Sequence, residues 1–131
     1  MALWRLTLTL LADEFAICRL PPDAPVPTWA DSAPFASITR TAEELSITCV
    51  RAAVPAGVQA QAGWRCLKVE GPFDLTTAIG VLAALAEPLA QAGVSLYVVS
   101  TFDTDYLFVR GEQFGQATEA LTARGHTIRA I

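Results

Sequence analysis

The sequence predicts an α+β protein with helices on one face of antiparallel sheet, and three observations lead there. From residue 64 onward, stretches of strand period and helix period succeed one another as β-α-β-β-α-β, the split pattern in which two helices cover a four-stranded sheet. The first sixty residues read as β-β-(short α)-β-β, an eroded copy of that arrangement with its second helix nearly lost. Finally, 131 residues suffice for one compact domain, or for two very small ones packed as a single body. The Ala- and Gly-rich stretch 52–63 is the natural boundary, which gives units at 1–62 and 63–131.

Local pattern assigns the elements. Residues 3–11 alternate, with Trp4, Leu6, Leu8 and Leu10 on one side and Arg5, Thr7 and Thr9 on the other, as in a half-buried strand. Asp13-Glu14 predicts a tight polar turn into a second strand at 15–20. Five prolines, at 21, 22, 25, 27 and 34, leave room for one short helical turn at 28–31. A hairpin comes next, 35–41 and 45–51 about a turn at 42–44, with Leu45, Ile47 and Cys49 on one face. The stretch 52–63 is a loop or a weak short helix.

In the second half, residues 64–70 form a strand with Leu67 and Val69 facing the core. Asp74 is placed to cap a helix running to Ala92, with Leu75, Ile79, Leu82, Leu85, Ala86 and Leu89 as its apolar stripe. Pro88 should kink its last turn and Gly93 end it. Strands at 94–100 and 105–109, a helix at 113–123 packing Phe114, Ala117 and Leu121 and capped by Gly125, and a strand at 127–131 complete the order.

Composition excludes several classes of function. Net charge is −4 and the nine Lys and Arg are scattered singly, so no electrostatic footprint for nucleic acid exists. No apolar run approaches the ~20 residues of a membrane helix. The stretch after Arg5 alternates Leu with Thr and meets Asp13-Glu14 without a small-residue cleavage site, which favours a strand over a signal peptide and a cytoplasmic protein. Cys18, Cys49 and Cys66 are odd in number and embedded in apolar strands, as expected of buried reduced thiols. Hydrophobic residues make up 53% of the chain, a surplus that suits a subunit interface and a homodimer.

Two polar loops interrupt these elements. Glu70-Gly71-Pro72-Phe73-Asp74 joins a strand end to a helix start, where unpaired amides and the helix dipole would welcome a carboxylate, Gly71 would admit positive φ and close approach, and Glu70 would meet an ammonium. The simpler reading is a capped helix after a Gly-Pro turn. Thr101, Phe102, Asp103, Thr104 and Asp105 join two strands. Asp103 and Asp105 face one side, yet two carboxylates without a third oxygen ligand do not make a metal site. Asp is also a common turn former. His126, the sole histidine, sits at a helix end, where as a cation it would stabilise helix carbonyls. Trp4 and Trp64 read as core, and Trp29 as a clamp on the proline-rich segment or part of a partner surface. No nucleophile lies beside a base, so catalytic residues and a cofactor are not expected; an enzyme built on Glu70, Asp74, Asp103 and Asp105 would lack the other groups it needs.

Residues 35–47 (FASITRTAEELSI), 63–74 (GWRCLKVEGPFD) and 92–109 (AGVSLYVVSTFDTDYLFV) together resemble small tandem-ACT proteins, the bacterial relatives of the CASTOR arginine sensors. The resemblance implies two tandem ACT-like, ferredoxin-like units and non-enzymatic, regulatory binding of a small molecule, an amino acid above all. It places the ligand where ACT units meet or across a dimer interface, and nominates Glu70, Gly71, Phe73, Asp74, Thr101, Phe102 and Asp105. It does not transfer arginine as the ligand, because specificity lives in a few loop residues. The alternative is an ACT-like protein–protein interaction module with no ligand.

Overall fold

Strand β1 spans Thr7–Leu20, and the expected turn at Asp13-Glu14 is absent: the strand continues through it for fourteen residues. Ala12, Asp13 and Glu14 are all exposed, so an extended chain costs the two carboxylates no burial. Glu14 also accepts the Gly63 N–H at 2.8 Å and faces Arg51 at 3.8 Å. The computed structural model describes residues 4–130, so the expected strand ends at residues 3 and 131 lie outside the described residues. After β1 come β2 (Ala36–Arg40), β3 (Leu45–Val50), β4 (Ala60–Val69), α1 (Val81–Gln91), β5 (Leu96–Ser100), β6 (Asp105–Arg110), α2 (Phe114–Ala123) and β7 (Thr127–Ala130). Three-residue 3-10 turns occur at Thr28–Ala30, Arg51–Ala53 and Gly111–Gln113.

The chain forms two compact units. The first joins the N-terminal segment up to Ala12 with the chain from Arg65 onward; the second is Asp13–Trp64. Strands β1 and β4 each contribute one end to each unit.

In the first unit the strand order is β7-β1-β4-β6-β5. The sheet was expected to be antiparallel and four-stranded. Instead β7 pairs with β1, in parallel, at Thr7↔Thr127 through Leu10↔Ala130. The alternation of β1 explains its place: Leu6 and Leu8 are buried and Leu10 partly so, in the core that also holds Leu67, Val69, Leu107 and Val109 from the sheet and Val81, Leu85, Leu89, Ala117 and Leu121 from the helices.

Helix α1 starts later than Asp74 predicts. Asp74 does cap, but only a turn: its Oδ1 accepts the Thr76 N–H and hydroxyl, and its carbonyl accepts the Thr77 and Ala78 N–H groups. Gly80 then takes a left-handed conformation, φ 84°, and the helix begins after it. Leu75 and Ile79 therefore fall outside the helix and are exposed, Ile79 at 83%, and Leu82 is exposed as well. The buried stripe is Val81, Leu85, Pro88 and Leu89. Trp4 fastens the pre-helix segment, donating its indole N–H to the Ile79 carbonyl at 2.8 Å and meeting Phe73 edge-on at 5.8 Å. The helix ends as expected at Gly93, whose positive φ lets Val94 N–H return to the Leu89 carbonyl.

The second unit has the order β2-β3-β1-β4 and no α-helix. Its core is smaller: Ala16, Cys18, Ala30, Leu45, Ile47 and Cys49, flanked by Leu20, Trp29, Val54 and Val58. The hairpin and the single helical turn at Thr28–Ala30 match expectation. Strand β4 starts four residues before the predicted Trp64.

Candidate functional site

The two polar loops converge at one end of the first unit. Thr101 N–H donates to the Thr104 carbonyl at 2.8 Å, and Thr104 N–H returns to the Thr101 hydroxyl at 3.3 Å, closing the β5–β6 turn. Two further bonds tie this turn to the end of β4 and to the loop after it: Thr104 Oγ1 donates to the Val69 carbonyl at 2.6 Å, and Phe73 N–H donates to the Asp103 carbonyl at 2.7 Å.

Three hollows surround the junction. One of about 270 Å³ is lined by Lys68, Glu70, Gly71, Pro72, Thr101, Asp103, Thr104 and Tyr106. A more apolar one of about 700 Å³ is lined by Pro72, Phe73, Asp74, Leu75, Thr76, Phe102 and Asp103. The third, about 310 Å³, lies between Phe73, Ser100, Asp105 and the start of α1. The seven expected site residues are thus divided: Glu70, Gly71 and Thr101 line the first hollow, Phe73, Asp74 and Phe102 the second, and Asp105 the third, which Phe73 also borders.

The chemistry at these positions differs from expectation in four respects. The amides expected to await a carboxylate at the helix start are used internally, since Phe73, Thr76, Thr77 and Ala78 all donate within the junction. Gly71 does not use the left-handed region. Glycine is favoured there by space: a Cβ would sit 3.0 Å from Phe73 Cδ2 and N and 3.1 Å from the Asp103 carbonyl oxygen. Glu70 has internal partners, accepting from the Thr9 hydroxyl at 2.7 Å and facing Arg129 at 4.0 Å, while Arg129 Nε donates to the same hydroxyl. Asp105 is buried and accepts from the Ser100 hydroxyl, whereas Asp103 borders two hollows and is exposed. Hydrogen bonds from Thr76 hold the Asp74 carboxyl below the usual carboxylate range.

Two lining residues went unnoticed in the sequence. Lys68, on β4, lies two before Glu70 just past its end, and Tyr106, on β6, two after Thr104 just before its start, and all four border the same hollow. Strand alternation around the two loops was the signal that would have found them.

His126 does not turn its ring to the carbonyls of the helix it follows. It is 4% exposed; its Nδ1 accepts the Leu6 N–H at 3.1 Å, which leaves the ring proton on Nε2, 3.3 Å from the Ala84 carbonyl. Pro88, four residues after Ala84, has no N–H to give that carbonyl, and the imidazole supplies the missing donor. The three cysteines are free and buried. Burial pushes the Cys66 thiol up to about 12 and Cys18 to about 11, with Cys49 raised for the same reason, so none is a nucleophile near neutral pH. Among the described residues no group of three or more His, Cys, Asp or Glu could hold a metal ion, and no helix is long and apolar enough to cross a membrane.

The ACT domain family model matches residues 59–123, and a second model, for an N-terminal domain, matches residues 13–57. The human and bovine cytosolic arginine sensor for mTORC1 subunit 1 are each 34% identical over 61 residues, 47% of this chain but only 18% of the relatives' length. A crystal structure of an Agrobacterium tumefaciens protein superposes with a TM-score of 0.91 at 37% identity, covering 98% of this chain and 95% of that one. The ligand-free regulatory subunit of aspartate kinase from Thermus thermophilus shares the fold, with a TM-score of 0.63 at 13% identity over 94% of this chain and 99% of that one. The first model covers both polar loops and the hairpin between β5 and β6, and the chain belongs to the ACT-domain family, related to the cytosolic arginine sensors.

Proposed function

We propose that the protein is a non-enzymatic, cytoplasmic regulatory domain that binds a free amino acid and works as a homodimer. One observation carries this reading. The 270 Å³ hollow brings Lys68 and Asp103, of opposite charge, to one concavity with Thr101 and Tyr106. That is the mixed-charge lining a zwitterion requires. In this reading Lys68 takes the ligand carboxylate in place of the backbone amides, Asp103 takes the ammonium, and Glu70 stays with Thr9 and Arg129. Gly71 keeps the wall thin. Phe73, Asp74 and Phe102 border the neighbouring apolar hollow and receive the ligand side chain, with Asp105 behind them.

The family relationship supports the regulatory role, and the division at 1–62 and 63–131 into tandem ACT-like units is part of the same proposal. Dimerisation fits the apolar rim. Leu75, Ile79, Leu82 and Phe102 are all exposed, Phe102 at 89%, and a second copy would cover them. Light scattering is expected to give twice the 14.0 kDa chain mass; a clean monomer at micromolar concentration would remove this part of the reading.

One observation favours an interaction module without ligand: the loop amides are already bonded within the junction. A thermal-shift screen against the twenty proteinogenic amino acids separates the two readings, because a ligand that binds only the native state raises the melting temperature by mass action. At least one amino acid is expected to do so. A flat screen would leave the interaction module.

A further inference from the structure

The second unit repeats the hairpin of the first at an interval of sixty residues. Leu45–Val50 corresponds to Asp105–Arg110, and the 3-10 turn Arg51–Ala53 to Gly111–Gln113. The turns share their closing bonds. Thr41 N–H donates to the Glu44 carbonyl at 2.9 Å, as Thr101 does to Thr104, and Glu44 N–H returns to the Thr41 hydroxyl at 3.2 Å, as Thr104 does to Thr101. Strand register agrees as well, with Arg40↔Leu45 closing one hairpin and Ser100↔Asp105 the other.

The hollow beside the hairpin is also repeated. In the second unit a concavity of about 270 Å³, equal in volume to the mixed-charge hollow of the first, is lined by Arg19, Glu44, Ser46, Gln59 and Gln61 and also bordered by Ile17 and Cys18. Glu44 and Ser46 stand where Thr104 and Tyr106 stand in the first unit, sixty residues on. Each hollow receives one basic side chain from the strand leading into its unit, Arg19 from β1 and Lys68 from β4. Arg19 is anchored there: its Nη2 donates to the Glu43 carbonyl at 3.0 Å, using one of the five N–H donors of a guanidinium, and its backbone N–H donates to the Gln59 carbonyl at 2.9 Å.

We propose that this concavity is a second binding site, which takes a small zwitterion of the α-amino acid class with its carboxylate on Arg19 and its ammonium on Glu44. Gln59 and Gln61 add carboxamides that can donate and accept at the rim, and Ser46 a hydroxyl between the charged ends. No aromatic side chain lines it, so it suits a short or polar side chain, and its volume lies just below the ~300–1,000 Å³ of drug-sized pockets. The ligand of one hollow need not be that of the other. The proposal rests on the geometry of the second unit and stands apart from the reading of the first.

Amide spectra of the ¹⁵N-labelled full chain, titrated separately with each of the twenty proteinogenic amino acids to millimolar concentration, test it. At least one amino acid is expected to move the amides of residues 17–19, 44–46 and 59–61 along a saturable curve. Glu44→Gln, on a half-buried residue, and Arg19→Gln should each weaken that curve about tenfold or more, the scale for a lost charge-assisted contact. Lys68→Gln should leave it unchanged. Movement confined to residues 68–74 and 101–106 overturns the second site and leaves the reading of the first unit standing. Movement confined to the second unit does the reverse. A curve that survives both Glu44→Gln and Arg19→Gln also overturns the assignment, and so does the absence of any response at residues 17–19, 44–46 and 59–61.

Discussion

The hairpins β2–β3 and β5–β6 have the same register and the same turn, yet the segments that flank them differ. In the first unit β4 leads through loop 70–80 to α1, and the 3-10 turn after β6 runs directly into α2. In the second unit β1 leads into a proline-rich segment with a single helical turn, and the 3-10 turn after β3 runs into a loop before β4. Hairpins depend on short-range turn bonds and on alternation, so they persist without a helical cover. Helices need an unbroken run of N–H donors, and Pro21, Pro22, Pro25 and Pro27 remove it. The helix-covered core is consequently the larger, and it should bear most of the stability.

Equivalent truncations test that difference most strongly. Leu107 and Ile47 are sixty residues apart, at matching places in β6 and β3, and both are fully buried. Leu107→Ala, inside the helix-covered core, is expected to cost about 4 kcal/mol, and Ile47→Ala about 2 kcal/mol, where the thinner core can collapse into the gap. Urea denaturation of both variants measures it. Equal losses would mean that the second unit packs as tightly without helices.

Next in size is His126, which has no counterpart in the second unit. His126→Ala leaves the Leu6 N–H and the Ala84 carbonyl without their partner and is expected to cost about 3 kcal/mol. His126→Gln, which can accept and donate, should recover part of this. If both variants melt like the parent, the imidazole is not what joins β1 to α1.

The thiols sharpen the comparison further. Cys66 in the first unit is pushed up to about 12 and Cys18 in the second to about 11, from an ordinary 9.0. Their neutral forms stabilise the fold fully below pH 9, and that contribution is lost as pH rises from 9 towards those values, at up to about 1.4 kcal/mol per pH unit for each thiol. Melting temperatures from pH 8 to 11 should fall accordingly, and Cys66→Ser should flatten the fall more than Cys18→Ser. A pH-independent melt would contradict the burial assigned to Cys66.

Gly71→Ala gives the smallest effect, about 1 kcal/mol, as Phe73 and the Asp103 carbonyl give way to the added Cβ. A variant as stable as the parent would show that this close approach has slack.

Much of this architecture is legible in the sequence, and the failures have physical causes. The hairpin at 36–50 and the strands on either side of Thr101–Thr104 are readable from alternation and turn chemistry, both of which are local. The end of α1 at Gly93 was equally readable. Its start was not, because Asp74 is a genuine cap whose turn ends before Gly80 resets the chain. The place of β7 beside β1 depends on a pairing between residues more than one hundred apart, which no window of sequence contains. At the site, the loops were found because turn residues advertise themselves. Lys68 and Tyr106 sit inside strands, where only the shared face reveals them.

The most direct test of the central claim is a calorimetric titration of the full chain with whichever amino acid raises its melting temperature, repeated with Lys68→Gln and Asp103→Asn. Both side chains line the hollow proposed to hold the zwitterion, and substituting either one leaves the bonds among Thr101, Thr104, Val69 and the Phe73 amide in place. Each substitution is expected to weaken binding at least about tenfold without lowering the unliganded melting temperature. Affinity unchanged in both variants would contradict the account.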